Sequence, residues 1–188
     1  MARVNILIAG VGGQGIITAG KIIAEAGNYS GIKVLVAETH GLAQRGGAVN
    51  VHVRIGDVNS PLIPLGKADY LVGLEANEVL RNLNYANKNT EIVINEYVNK
   101  PVLPKVKPLP LEKVLEKLRG LKVHVINANE IAISVGNPKA ANAAILGYLY
   151  SLGAFKGIEE EAFIKALKYE SNIKAFKMGM SIAKVTLV

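Results

Sequence analysis

Gly10-Val11-Gly12-Gly13-Gln14-Gly15 sits between two unlike patterns. Before it, Val4 to Ala9 is an apolar run of strand length. After it, Ile16, Ala19, Ile23 and Ala26 recur at helical spacing in a segment that extends to Ser30. The expected unit is strand, glycine turn, helix. Glycines leave the backbone bare, and the first N–H groups of a helix lie at its positive end, so such a turn is built to meet an anion.

Gly10-x-Gly12-x-x-Gly15 formally satisfies the dinucleotide fingerprint. Lys33 to Ala37 reads as a second strand, and Glu38 follows it where a ribose-binding acid would stand. On this reading the turn belongs to an NAD- or FAD-binding domain. The spelling also supports others. Gln14 adds an amide that both donates and accepts, which suits a polar ligand or a partner's backbone, and a glycine turn also serves plain close packing of helix on strand.

The remaining pattern alternates strands and helices. Ala48 to Ile55 predicts a third strand with Val49, Val51, Val53 and Ile55 on one face. Tyr70 to Leu74, Glu91 to Asn95 and Val123 to Ile126 predict three more. Helical stripes fall at Ala76, Val79, Leu80 and Leu83, and at Leu111, Val114, Leu115 and Leu118. Asn137-Pro138 is a helix start, followed by Ala141, Ala144, Ile145, Tyr148, Leu149 and Leu152 on an inward stripe. The tail from Glu159 to Lys184 predicts one or two helices with a break near Ser171-Asn172. Ser60 to Pro64 is extended, and prolines at 101, 104, 108 and 110 mark a connection without ladder pairing. The fold class expected is α/β, a Rossmann-like three-layer domain with a mostly parallel sheet and a site beyond the carboxyl ends of the strands.

A second polar concentration runs from Glu38 to Ala48 and includes His40, Gln44, Arg45, Gly46 and Gly47. Arg45 offers a planar fork for a carboxylate or phosphate, and the glycine pair allows close approach of a neighbour. A purely structural loop needs no such concentration, so a binding or interface role is expected here. Elsewhere His52 is expected to face outward, opposite Val51 and Val53. Glu75 and Asn77 suit the first turn of a helix better than a site, and Asn142 is either a buried amide or an exposed one. No Ser/His/Asp set, carboxylate pair or phosphate-loop lysine stands out, so no catalytic residue is assigned.

Composition narrows the classes. The 188 residues are half hydrophobic and one-fifth charged, which describes a folded domain rather than a disordered chain. No apolar run approaches a membrane span, and no signal-peptide pattern opens the sequence, so a cytoplasmic protein without a membrane partner is expected. The chain contains no cysteine, which removes disulfides, thiol catalysis and cysteine-held iron–sulfur clusters. Three histidines without ligand spacing make a metal site unexpected. The net charge of +7 comes mostly from scattered lysines without an arginine-rich tract, so nucleic acid is not an expected partner.

Taken together, several of these segments carry a resemblance. Gly10 to Gly15 resembles the opening of the gamma domain of 2-oxoacid:ferredoxin oxidoreductases. His40-Gly41 through Gln44-Arg45-Gly46-Gly47-Ala48 and His52-Val53-Arg54 are similar to the indolepyruvate:ferredoxin oxidoreductase beta-subunit branch of that family. So are Ser60 to Pro64, Gly66, Ala68-Asp69, Leu74-Glu75 and Gly136-Asn137-Pro138, and the order and spacing hold from about residue 4 to about 155.

The resemblance implies that residues 1–188 form one gamma-type domain. It implies a small subunit whose alpha-subunit partner carries thiamine diphosphate and the iron–sulfur clusters, with coenzyme A as cosubstrate and ferredoxin as electron acceptor of the complex. The complex would convert an aryl pyruvate to an aryl-acetyl coenzyme A, with no cofactor held by this chain alone. Gly10, Gly12, Gly13, Gln14, Gly15, Glu38, Gln44, Arg45, Gly46 and Gly47 are the expected cofactor-facing residues. An NAD-dependent enzyme and a free-standing coenzyme A or nucleotide-binding module are the competing readings.

Overall fold

The computed structural model describes residues 3–40, 47–99 and 107–182. The strands are β1 (Val4–Val11), β2 (Val34–His40), β3 (Ala48–Ile55), β4 (Tyr70–Gly73), β5 (Glu91–Asn95) and β6 (Lys122–Ile126). They form one sheet in the order β2-β3-β1-β4-β5-β6. β1, β4, β5 and β6 are parallel neighbours. β3 is antiparallel to both β1 and β2, so it alone runs against the other five.

The helices are α1 (Ile16–Tyr29), α2 (Ala76–Arg81), α3 (Leu111–Lys117), α4 (Ala128–Ser134), α5 (Ala141–Ser151), α6 (Glu160–Leu167) and α7 (Glu170–Met180). Successive side chains of a strand point to opposite faces, and this splits the core in two. Ile6 and Ile8 of β1, with Val49, Val51, Val53 and Ile55 of β3, pack with α1, α4, α5, α6 and α7. Leu7, Leu71, Ile92, Ile94 and Val123 pack on the other face with α2 and α3. The three-layer α/β architecture therefore stands as the sequence predicts. β3 and β5 match their expected limits to the residue.

Four local features depart from expectation. The Rossmann-like order places β2 beside β1, but the antiparallel β3 lies between them. The tail breaks at Lys168 rather than near Ser171. Lys168 has φ 63°, and the Tyr169 N–H donates to the Leu167 carbonyl at 2.7 Å, a tight three-residue turn between α6 and α7. A further helix, α4, was not expected. Its start is written in the sequence, because the Asn127 side chain caps it by accepting from Glu130 N at 3.0 Å.

The fourth is His52. It does lie opposite Val51 and Val53, yet only 2% of it is exposed. The polar face of β3 is covered by the extended segment 58–66, whose Ile63 is buried against it. Ile63 N donates to His52 Nδ1 at 3.2 Å. Arg54 Nη1 donates to the carbonyls of Ser60 at 2.7 Å and Leu62 at 3.3 Å, and Arg54 Nε donates to Asn5 Oδ1 at 2.9 Å. The polar positions of the strand hold a strap whose own backbone has no ladder to join. Burial holds the His52 pKa below its usual value.

Candidate functional site at the carboxyl ends of the strands

The glycine turn forms where β1 ends. Gly13 has φ 103° and Gly15 φ 76°, a region that side chains with a Cβ rarely enter. Gly10 matters for a different reason: a Cβ there would stand 2.6 Å from Gln14 Oε1 and 2.7 Å from Ile16 Cδ1, and both side chains would have to shift. Gly15 is the N-cap of α1, which offers no side-chain cap of its own.

Gln14 does not project freely. Its Oε1 accepts from Val11 N at 2.8 Å and its Nε2 donates to the Leu74 carbonyl at 3.1 Å. Leu74 follows β4, and α1 and α2 leave on opposite faces of the sheet. Gln14 thus crosses the point where the chain's winding reverses, which is where ligands of open α/β sheets bind.

The neighbouring strand ends continue the same device. Asn95, the last residue of β5, is 1% exposed. It donates from Nδ2 to the same Leu74 carbonyl at 3.2 Å and to Asn129 Oδ1 at 3.2 Å, and its Oδ1 accepts from Ala128 N at 3.0 Å. From the other side, Asn142 at the start of α5 donates from Nδ2 to the Gly15 carbonyl at 3.1 Å. Asn137 caps the turn before α5 by accepting from Lys139 N at 3.1 Å, and its Nδ2 reaches Ser171 Oγ at 3.1 Å and Asn172 Oδ1 at 3.2 Å. Carboxamides therefore tie β1, β4, β5, α4, α5 and α7 around one opening.

That opening is a cleft of about 690 Å³. The turn residues Gly13, Gln14 and Gly15 form one wall, Asn95, Tyr97 and Asn129 a second, and the segment from Asn137 to Asn142 a third. Ile133 and Tyr169 stand at its edge with 67% and 70% of their surface exposed. Lys139 is the one charged side chain among the described lining residues, and no carboxylate is among them. With the amino end of α1 alongside, the cleft favours a ligand rich in hydrogen-bond acceptors or negative charge. It presents amides, phenols and backbone N–H groups. Among the described residues no group of three or more His, Asp or Glu is placed to hold a metal ion.

The expected site residues divide as follows. Gly10, Gly12, Gly13, Gln14 and Gly15 form the turn. Gly47 joins it, because Gly12 N donates to the Gly47 carbonyl at 2.9 Å. Gln44, Arg45 and Gly46 lie outside the described residues, and of His40 only the backbone is described. Glu38 is not brought to the turn. It is paired with Val51, which is paired with Ile8, so it stands two strands away and two residues below the level of Gly10. Two strand spacings and two residue steps make that separation roughly 12 Å, and the ribose-acid arrangement of a dinucleotide site is not built.

Glu75 and Asn77 behave as helix-start residues. Glu75 Oε2 accepts from Glu78 N at 3.0 Å, and Asn77 holds both the N–H and the carbonyl of Leu109. Asn142 is buried and belongs to the site. Asn95 and Asn129 were not singled out from the sequence. The available signal was position, since Asn95 ends a predicted strand and residues just beyond it reach the ligand edge of the sheet.

The pyruvate ferredoxin/flavodoxin oxidoreductase family model matches residues 5–182. The chain is 44% identical to the indolepyruvate oxidoreductase subunit IorB of Archaeoglobus fulgidus, with 96% of each chain covered. It is 35% identical to the subunit of the same name from Methanothermobacter thermautotrophicus, over 95% of this chain and 97% of that one. Among solved structures, the gamma subunit of a keto/oxoacid ferredoxin oxidoreductase from Geobacter sulfurreducens superposes with a TM-score of 0.68 at 25% identity, covering 94% and 95% of the two chains. A match of fold, length and sequence over nearly the whole chain has one reading: this chain belongs to the pyruvate ferredoxin/flavodoxin oxidoreductase family.

Proposed function

We propose that the chain, as one gamma-type domain, is the small subunit of an indolepyruvate:ferredoxin oxidoreductase and works in the cytoplasm with a larger alpha subunit. The complex decarboxylates an aryl pyruvate oxidatively, transfers the acyl group to coenzyme A and reduces ferredoxin. The alpha subunit carries the thiamine diphosphate and the iron–sulfur clusters, since this chain has no cysteine to ligate a cluster. Here the chain contributes one wall of a shared cleft. Gly13 and Gly15 keep the wall low, Gly10, Gly12 and Gly47 shape the turn behind it, Gln14 holds the turn in place, and Gln44, Arg45 and Gly46 serve as further cofactor-facing residues. Glu38 takes no part.

One observation carries this reading. Among the described residues that line it, the cleft at the reversal of the sheet presents amides, phenols, backbone N–H groups and Lys139 rather than a nucleophile paired with a base, on a chain that runs the length of IorB. The NAD reading loses its ribose acid to the inserted β3.

Co-expression with a large thiamine-dependent alpha subunit, followed by affinity capture and an assay of indolepyruvate-dependent ferredoxin reduction, tests it. A captured complex that reduces ferredoxin only when both chains are present is the expected result. Failure of the two chains to associate, or full activity of the large subunit alone, would sink it.

A further inference from the structure

The orientation of one side chain in the cleft can be assigned by following donors and acceptors. A carboxamide's O and N look alike, but the partners decide which is which. Ala128 N–H can only donate, so the atom of Asn95 it meets at 3.0 Å is the oxygen. The nitrogen of Asn95 then faces the Leu74 carbonyl and Asn129. Because that nitrogen donates, the atom of Asn129 it meets at 3.2 Å is again the oxygen. The Nδ2 of Asn129 is left with both hydrogens, and among the described residues it donates to no protein group.

We infer that Asn129 is a ligand-binding residue of this cleft and that its Nδ2 donates to an anionic oxygen, a carboxylate or a phosphate. Asn95 is nearly inaccessible and holds three hydrogen bonds, so the orientation is fixed before any ligand arrives. The surroundings suit an anion. Among the described lining residues Lys139 is the charged one and no carboxylate competes, and the 14-residue α1 directs its positive end at the same opening. A donor held this way, without a protein acceptor, contributes to a ligand more than to the fold.

The inference deepens the function proposed above and fails separately from it. Assembly with the large subunit tests that function, whereas the donors named here all belong to this chain. The experiment follows the side-chain carboxamide resonances of the ¹⁵N-labelled full chain during titration with sodium phosphate and, separately, sodium acetate at constant ionic strength. A saturable shift of the Asn129 Nδ2 pair, together with the amides of Gly13 and Gly15, is expected with at least one anion. Response to phosphate alone assigns a phosphate-bearing ligand, and response to acetate alone a carboxylate. Asn129→Asp keeps the acceptor that Asn95 needs but replaces the donor with charge, and Asn129→Ala removes both. Each is expected to weaken binding by about tenfold or more, with the thermal midpoint of at least one of them close to that of the parent. No saturable shift with either anion, shifts confined to residues away from the cleft, or unaltered affinity in both variants would overturn the assignment.

Discussion

Around the 58–66 strap, Arg54, His52 and Asn5 bury their polar atoms and direct them at protein groups. Arg54 holds the carbonyls of Ser60 and Leu62, and Asn5 holds the Lys67 carbonyl at 2.7 Å. Around the cleft, Gln14, Asn95 and Asn142 also anchor backbone, but the chain of carboxamides ends at Asn129 with donors left over. Both networks are polar, both sit on the same sheet, and both replace ladder hydrogen bonds that loops lack. The difference lies in where the donors run out. A network closed on itself fixes a segment, and one that opens into a cleft fixes a surface for something else.

The largest expected effect breaks the closed network. Arg54→Ala strands three acceptors and unties the strap, and should cost about 3 kcal/mol. At 2–4 °C per kcal/mol for a chain of this size, the thermal midpoint should fall by roughly 6–12 °C. Anion affinity of the cleft should remain. A drop of less than about 1 kcal/mol in denaturant unfolding would mean that the strap is held by Ile63 alone.

Gly15→Ala acts on the open network. It forces φ 76° on a residue with a Cβ and sets that Cβ 2.7 Å from Asn142 Nδ2. A loss of about 2 kcal/mol is expected. Unlike the strap variant it should also weaken anion binding, because the turn's N–H groups move. Parent-like stability and binding in the same variant would show that the turn is looser than its hydrogen bonds describe.

Gln14→Ala should be milder, on the order of 1–2 kcal/mol, since it removes two hydrogen bonds and leaves Val11 N–H without its acceptor. Equilibrium unfolding curves measure the change directly. A cost equal to that of a surface substitution would place the side chain in solvent.

The smallest effect is a pH dependence. The folded-state pKa of His52 is depressed by burial, so the folded chain binds fewer protons than the unfolded one in the window below the ordinary value of about 6.5. Its contribution to stability is complete above that value and is lost as pH falls towards the depressed one, where Nδ1 can no longer accept from Ile63 N. Unfolding midpoints in urea at pH 7.5 and 5 should therefore differ more in the parent than in His52→Asn. Equal pH slopes would remove His52 from the strap's attachments.

Much of this was legible in the chain. β3 is legible to the residue because its apolar and polar positions alternate, and β5 because a short apolar run, Ile92 to Ile94, is bounded by Glu91 and Asn95. The Asn137-Pro138 start was legible because a cap and a fixed φ leave few alternatives. His52 reads as outward-facing in the sequence for a physical reason. A polar residue on an alternating strand looks solvent-facing unless one knows that an extended segment will lie across it, and that segment carries no periodicity to announce itself. Asn95 was passed over because one asparagine at a strand end looks like any other until its three partners, from residues 74, 128 and 129, are in place.

The sequence alone determined the glycine turn, the α/β alternation, the absence of cysteine ligands and the family resemblance, because each depends on residue identity at short range or on composition. Only the tertiary structure decided that β3 enters between β1 and β2 and separates Glu38 from the turn. It also decided that the Gln14 amide is held by Val11 and Leu74 and that, among the described residues, Asn129 Nδ2 meets no protein acceptor. Strand order and hydrogen-bond satisfaction are properties of residues far apart in the chain. Local pattern carries no term for either.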